Sequence, residues 1–133
     1  MCLRIVWVNI LLILFLCSCE QTKVSVIIGE YHAKLDGKTS VLCLNKDGSH
    51  RQILINGKDT LNKIGGRWSV EYEYGEPRMR LVPFIIYRPS KGFKEFGSGL
   101  LNIGDKYLVE GVDNFLAYEL IAENKCSITD VRP

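Results

Sequence analysis

Two patterns divide the chain: an apolar block at its start, and alternation with a period of two through the rest. In the block, Arg4 is the only charged residue before Glu20, and Ile5 to Leu16 is apolar apart from Asn9. A helix over these residues would span roughly 18 Å, against a hydrocarbon core of roughly 30 Å, which is short for a permanent span. A positive start, an apolar middle and small residues behind it form the layout of a secretory signal, cut within Leu16-Cys17-Ser18-Cys19. Beyond polar residues 20–23 the pattern changes. Trp68, Val70, Tyr72 and Tyr74 fall on one face of an extended segment, and Arg67, Ser69, Glu71 and Glu73 on the other. A strand with one wall on a core and one in water reads this way.

The punctuation is of β type. Asp36-Gly37, Asp47-Gly48, Asn56-Gly57, Gly65-Gly66, Gly75-Glu76-Pro77 and Gly104-Asp105 mark turns. Between them the alternation predicts strands over 24–34, 39–45, 50–56, 67–74, 78–87, 106–110 and 115–121, with a weaker one over 99–103. Pro83 interrupts its strand and places it on an edge or at a bulge. Residues 88–98 form the longest irregular stretch. No twelve-residue window after the signal sustains a helical stripe. The fold class expected is all-β: a small antiparallel meander of seven to eight strands, closed into a barrel or sandwich and preceded by a cleaved signal peptide.

Leu16, Ser18 and Cys19 resemble the lipobox of bacterial lipoproteins, in which Leu precedes the cysteine by three, a small residue lies directly before it, and the position between is tolerant. Cys17 occupies that tolerant position, and Leu16 before it is too large for Cys17 to be the modified residue. The resemblance implies diacylglycerol in thioether linkage to Cys19, cleavage between Ser18 and Cys19, and acylation of the new amine. Each buried CH₂ contributes about 0.8 kcal/mol, so two or three chains hold stably where one does not. The domain reading is then 1–18 signal peptide, 19–23 lipidated cysteine and tether, and 24–133 a single β domain. An unlipidated secretory signal and a short membrane anchor are the alternatives. In enteric bacteria Glu20, not being Asp, directs such a protein to the outer membrane, facing the periplasm.

The order Gly29-x-Tyr31, Leu42-x-Leu44-x-x-Asp47-Gly48, Gly66-x-Trp68 and Arg80-Leu81-x-x-Phe84 is similar to small lipocalin-like or related β-meander lipoproteins of unknown function. That resemblance implies inward-facing Leu42 and Leu44 and a core plugged by Trp68. It covers most of the chain after the signal.

Length and charge narrow the function classes. The chain has 133 residues, 47% hydrophobic, with formal net charge +2. One ordinary domain fits, and a multi-span membrane protein or a disordered tail does not. So small a charge gives no case for a nucleic-acid partner.

The candidate chemistry is sparse. Of five cysteines, Cys2 and Cys17 leave with the signal and Cys19 is taken by lipid. Cys43 and Cys126 remain in an oxidising compartment, as a bridge or as two thiols. With Leu42 and Leu44 inward, Cys43 points outward, where a C-terminal tail can reach it. His32 and His50 lack metal-ligand spacing, so neither metal nor cofactor is implied, and His50 beside a turn reads as solvated. Gly37-Lys38-Thr39 lacks the rest of a phosphate loop, and Ser98 lacks the spacing of a nucleophile elbow. Glu71 and Glu73 lie roughly 7 Å apart on one strand face, an acid–base pair on a glycan only if one carboxyl is raised in a cleft. Arg78, Arg80, Arg88, Lys91 and Lys94 interleave with Phe84, Tyr87, Phe93 and Phe96 as a basic, aromatic run.

These readings converge on a lipid-anchored envelope protein without catalytic machinery, a binding or accessory module. Its partners are the membrane, through the N-terminal lipid, and an envelope protein or a hydrophobic ligand. The alternative is a lipocalin-like carrier whose barrel encloses a small hydrophobic molecule, with Trp68, Val70 and Tyr72 lining the cavity or core.

Overall fold

The computed structural model of the chain describes residues 26–111 and 116–128. The cleavage and lipidation positions Ser18 and Cys19 lie outside them. The described residues form ten strands: β1 (Gly29–Leu35), β2 (Lys38–Leu44), β3 (Ser49–Asn56), β4 (Asp59–Glu73), β5 (Glu76–Val82), β6 (Phe84–Arg88), β7 (Gly92–Phe96), β8 (Gly99–Ile103), β9 (Tyr107–Glu110) and β10 (Leu116–Glu123). Eight close into one antiparallel barrel, ordered β1-β10-β9-β8-β5-β4-β3-β2, and β6 and β7 form a separate hairpin. The all-β class read from the alternation holds, and of its two architectures the barrel is the one adopted.

Apolar residues of one strand face fill the interior. Leu42 and Leu44 from β2, Met79 and Leu81 from β5, Leu101 from β8 and Tyr118 from β10 are completely buried. Each such side chain contributes roughly 1.5–3 kcal/mol on burial. A slip of one residue in any pairing would turn that set outward, so the core fixes the register.

Two-residue turns set the hairpins at Asp36-Gly37, where Leu35 faces Lys38, and at Tyr74-Gly75, where Glu73 faces Glu76. Tyr74 and Gly75 have φ of 51° and 81°, the geometry whose twist matches paired strands. This corrects the expected core strand over 67–74. Tyr74 is a turn residue, 98% exposed, and Tyr72 is 61% exposed. β8 pairs with β5 only from Arg78 onward, so the tip of the β4–β5 hairpin projects past its neighbour.

Four further features differ from the sequence reading. β1 starts at Gly29 rather than 24. β4 starts at Asp59, because Gly65-Gly66 continues the strand instead of turning it. A Cβ on Gly66 would run into the Val82 carbonyl and the Pro83 ring. The expected strand 78–87 is two strands. The ladder between β4 and β5 ends where Arg67 faces Val82, and Pro83, with no N–H to donate, stands between β5 and β6. The stretch 88–98, expected to be irregular, contains β7.

β6 has β7 along one edge and side chains along the other. The Ile85 N–H donates to Gln52 Oε1 at 2.7 Å, and the Tyr87 N–H donates to Glu110 Oε1 at 2.9 Å. Two barrel residues thus stand in for a neighbouring strand. Phe84 packs inside the barrel, its ring centroid 6.0 Å from that of Tyr118. Its place depends on Gly99, where a Cβ would strike the Phe84 ring.

Since all pairings are antiparallel, the turns sort to two ends. The near end carries the start of β1 and the β2–β3, β4–β5 and β8–β9 turns. The far end carries the β1–β2 and β3–β4 turns and Gly111. The Tyr87 hydroxyl donates to Asp36 at 3.1 Å, which places the tip of the β6–β7 hairpin at the far end. After β10 the chain crosses the outer wall as a strap. Cys126 is disulfide-bonded to Cys43, with Cα atoms 5.8 Å apart. Ile128 packs with Val41 and Cys43, and Glu30 Oε2 accepts from Ser127 N and Oγ at 2.5 and 2.6 Å.

Candidate functional site

At the far end β6, β8 and β9 surround a cavity of about 350 Å³, open to solvent. β6 and the turn after it supply Ile86, Tyr87, Arg88 and Pro89, β8 supplies Leu100, and β9 ends on Glu110 at its floor. Leu108 and Glu110 share the inward face of β9, which is why a carboxyl is buried here. Glu110 is only 6% exposed. Its Oε1 is occupied by the Tyr87 N–H, and its Oε2, also buried, has no hydrogen-bond partner among the described residues. Burial pushes this carboxyl up to about 7, against the opposing pull of the Tyr87 N–H and the Arg88 charge. Arg88 forms no ion pair with it among the described residues. The guanidinium lies over the Phe96 ring instead, 4.8 Å from its centroid. The result is a mostly apolar cup that Arg88 and Ser90 also line, with an unpaired carboxyl oxygen buried at Glu110.

A larger and shallower hollow lies at the near end, around the β2–β3 turn. The polar groups of the turn pair among themselves. Asp47 Oδ1 accepts from Ser49 N and Oγ at 2.9 and 2.6 Å, Asn45 donates to Ser49 Oγ at 3.0 Å, and Arg67 donates to the Asp47 carbonyl at 3.1 Å. His50 and Arg51 also line it, and His50 Nδ1 and Arg51 Nε are buried without a hydrogen-bond partner among the described residues.

The residues singled out in the sequence are scattered. Trp68 is partly buried against the core, and its Nε1 donates to the Asn45 carbonyl at 2.9 Å, holding the β2–β3 turn. Val70 is half-buried beside it in β4, whereas Tyr72 projects into solvent and lines neither core nor cavity. Glu71 and Glu73 each face an arginine, with Arg80 Nε–Glu71 Oε1 at 2.6 Å and Arg78–Glu73 at 2.8 Å. The Arg80 hydrogen bond holds the Glu71 carboxyl below its ordinary range, opposite to what an acid catalyst on a glycan requires. His32 is bound to Glu30 at 2.6 Å, and Ser98 is an exposed loop residue.

His50 requires a correction. It is 1% exposed, not solvated, and its Nε2 lies 2.8 Å from the Pro83 carbonyl. It occupies an inward position of β3, and the chain crossing at Pro83 covers it. Burial lowers its pKa below the ordinary value.

The sequence reading missed Gln52 and Glu110. Both carry a signal: each is polar in phase with apolar neighbours, Gln52 with Leu54 and Glu110 with Leu108. No family model matches this chain, and no curated protein or solved structure matches it.

Proposed function

We propose that this chain is a lipid-anchored envelope lipoprotein whose barrel is a non-catalytic binding module, with its ligand seat in the far-end cavity. One observation carries the binding reading: an open, mostly apolar cavity of about 350 Å³ lined by Glu110, a buried carboxyl with one oxygen that has no partner among the described residues. Small-ligand sites are mostly apolar cavities with a few polar groups, and buried polar atoms are nearly always paired, so an unpaired carboxyl on a cavity-lining residue supports a binding role. The anchor rests on Arg4, the apolar block and Leu16-Cys17-Ser18-Cys19. The Cys43–Cys126 disulfide is in keeping with an oxidising compartment.

A carrier with ligand in the barrel lumen is the weaker reading. Phe84, Tyr118 and the Gln52 network occupy the interior, and Tyr72, one of its expected lining residues, is outside.

Two measurements test the proposal. Intact mass of protein extracted from envelopes is expected to show the chain beginning at lipidated Cys19, and Cys19→Ser to leave an uncleaved precursor. Native mass spectrometry of the same extract is expected to show a small adduct on the wild type and none on Leu100→Trp, which fills the cavity. Normal processing of Cys19→Ser removes the anchor. An adduct that persists on Leu100→Trp removes the seat.

A further inference from the structure

We propose that the near-end hollow, of about 750 Å³, takes a phosphate group, free or borne by a lipid headgroup, with Arg51, Arg67 and Lys46 as its donors. The site lies on the outer wall beside the β2–β3 turn and is independent of the far-end cavity. Three observations carry it.

First, the hollow gathers more positive charge than it balances. Lys46, Arg51 and Arg67 line it against one carboxylate, Asp47. The Ser49 hydroxyl and N–H both donate to Asp47 Oδ1 and hold that carboxyl below its ordinary range. Even with Asp47 set against Arg67, whose charge it feels, Arg51 and Lys46 remain over. None of the three cations is in an ion pair among the described residues. The next hairpin does the opposite, pairing Arg78 with Glu73 and Arg80 with Glu71. His50 adds no charge near neutrality, because burial lowers its pKa.

Second, the wall of the hollow is bare backbone at Gly65. Gly65 faces Arg51 across the β3–β4 ladder, and Arg67 follows two residues on, on the same outward face. Packing does not require glycine at 65. Its φ is not left-handed, and a Cβ would meet nothing nearer than the His50 carbonyl at 3.7 Å, an ordinary contact. The bulge of this ladder lies elsewhere, between Leu54 and Ile55. A glycine inside a strand weakens it and often marks the close approach of a ligand. Third, one donor is already in place. Arg67 donates to the Asp47 carbonyl at 3.1 Å, and Gly48, where a Cβ would lie 3.0 Å from the same guanidinium, lets it rest on the turn. Most of its donor fork remains, and a guanidinium held in advance loses less freedom on binding. Donors from β3, β4 and the turn between β2 and β3 suit a tetrahedral oxyanion better than a planar carboxylate, which a single fork satisfies.

The test titrates inorganic phosphate, α-glycerophosphate, dihexanoylphosphatidylglycerol and acetate into the full-length ¹⁵N-labelled chain in a non-ionic detergent. Ionic strength is held constant with chloride, and the amides of Arg51, Gly65 and Gly66 are read. Phosphate compounds are expected to shift these three saturably. Arg51→Gln is expected to bind them about tenfold more weakly. Gly65→Val, which fills the wall with a strand-favouring side chain, is expected to melt no lower than the wild type and yet to lose binding. Tighter binding of α-glycerophosphate supports the site with a free phosphate ester as its ligand, and tighter binding of the phospholipid supports it with a headgroup. Acetate binding as tightly as phosphate would overturn the assignment. So would wild-type affinity in Arg51→Gln and Gly65→Val, or the absence of saturable shifts with every phosphate compound.

Discussion

Gln52 and Ile85 are joined as neighbouring strands are: Gln52 Oε1 accepts the Ile85 N–H at 2.7 Å, and Gln52 Nε2 donates to the Ile85 carbonyl at 2.9 Å. The same Nε2 lies 3.0 Å from Ser40 Oγ and 3.1 Å from the Tyr118 hydroxyl. A single amide thus couples the barrel wall to the inserted hairpin. Gln52→Leu keeps the volume and leaves the Ile85 groups buried without partners. At roughly 1–3 kcal/mol per orphaned group, the loss of stability is expected to be about 2–6 kcal/mol, read by urea denaturation.

The passage of the chain into the barrel depends on missing side chains. Gly99→Ala places a methyl against the Phe84 ring, and overpacking of this kind costs about 1–3 kcal/mol. Gly97→Ala, where a Cβ meets nothing within 4 Å, is the control. Its expected effect is within about 0.5 kcal/mol. Thermal denaturation of the two variants distinguishes crowding at Phe84 from a general intolerance of the loop.

Two buried groups give stability opposite slopes with pH. Glu110 titrates at about 7 in the fold against an ordinary 4.5. The folded state therefore holds its proton through that window, and its contribution fades as pH rises from about 4.5 to 7. The expected loss is on the order of 1–3 kcal/mol. His50 is depressed below 6.5 by burial. The unfolded state binds the proton first, so the His50 contribution is lost as pH falls below 6.5. Glu110→Gln is expected to remove the first slope and keep the second, measured by denaturant midpoints from pH 4.5 to 8.

The strap is a covalent constraint as well as a contact. Cys43 and Cys126 are separated by 83 residues, and removing a bridge across so long a loop costs roughly 2–5 kcal/mol. Cys126→Ser is expected to lower stability by that amount. It should also free the Ser127 donors from Glu30, whose carboxyl burial raises but whose hydrogen bonds from Ser127 and His32 hold below the ordinary value. A rise of the Glu30 pKa in the variant, followed by carboxyl NMR shifts, checks the coupling.

Most of the barrel is legible in the sequence because period two and turn chemistry are local. β2 and β3 lie within one residue of the alternation reading, and Cys43 is outward because Leu42 and Leu44 are inward. What escaped is tertiary. Gly65-Gly66 looks like a turn, yet Gly66 is a glycine because Pro83 passes over it. Alternation assigns Tyr72 a face but does not say where the barrel ends. His50 and Gln52 sit in phase with Leu54, but the carbonyls they meet, on Pro83 and Ile85, lie 33 residues away. The far-end cavity was hidden for the same reason: Glu110 lines it only once β6 has folded across.

The first strand is held more firmly than its position in the chain suggests. β10 lies on one side of it, β2 on the other, and the strap runs over its back to a covalent clasp. Tension arriving through the N-terminal segment would pull β1 along its own axis, against two ladders loaded in shear and not peeled bond by bond. A barrel hung from its leading end would in this way bear mechanical load without opening its seam.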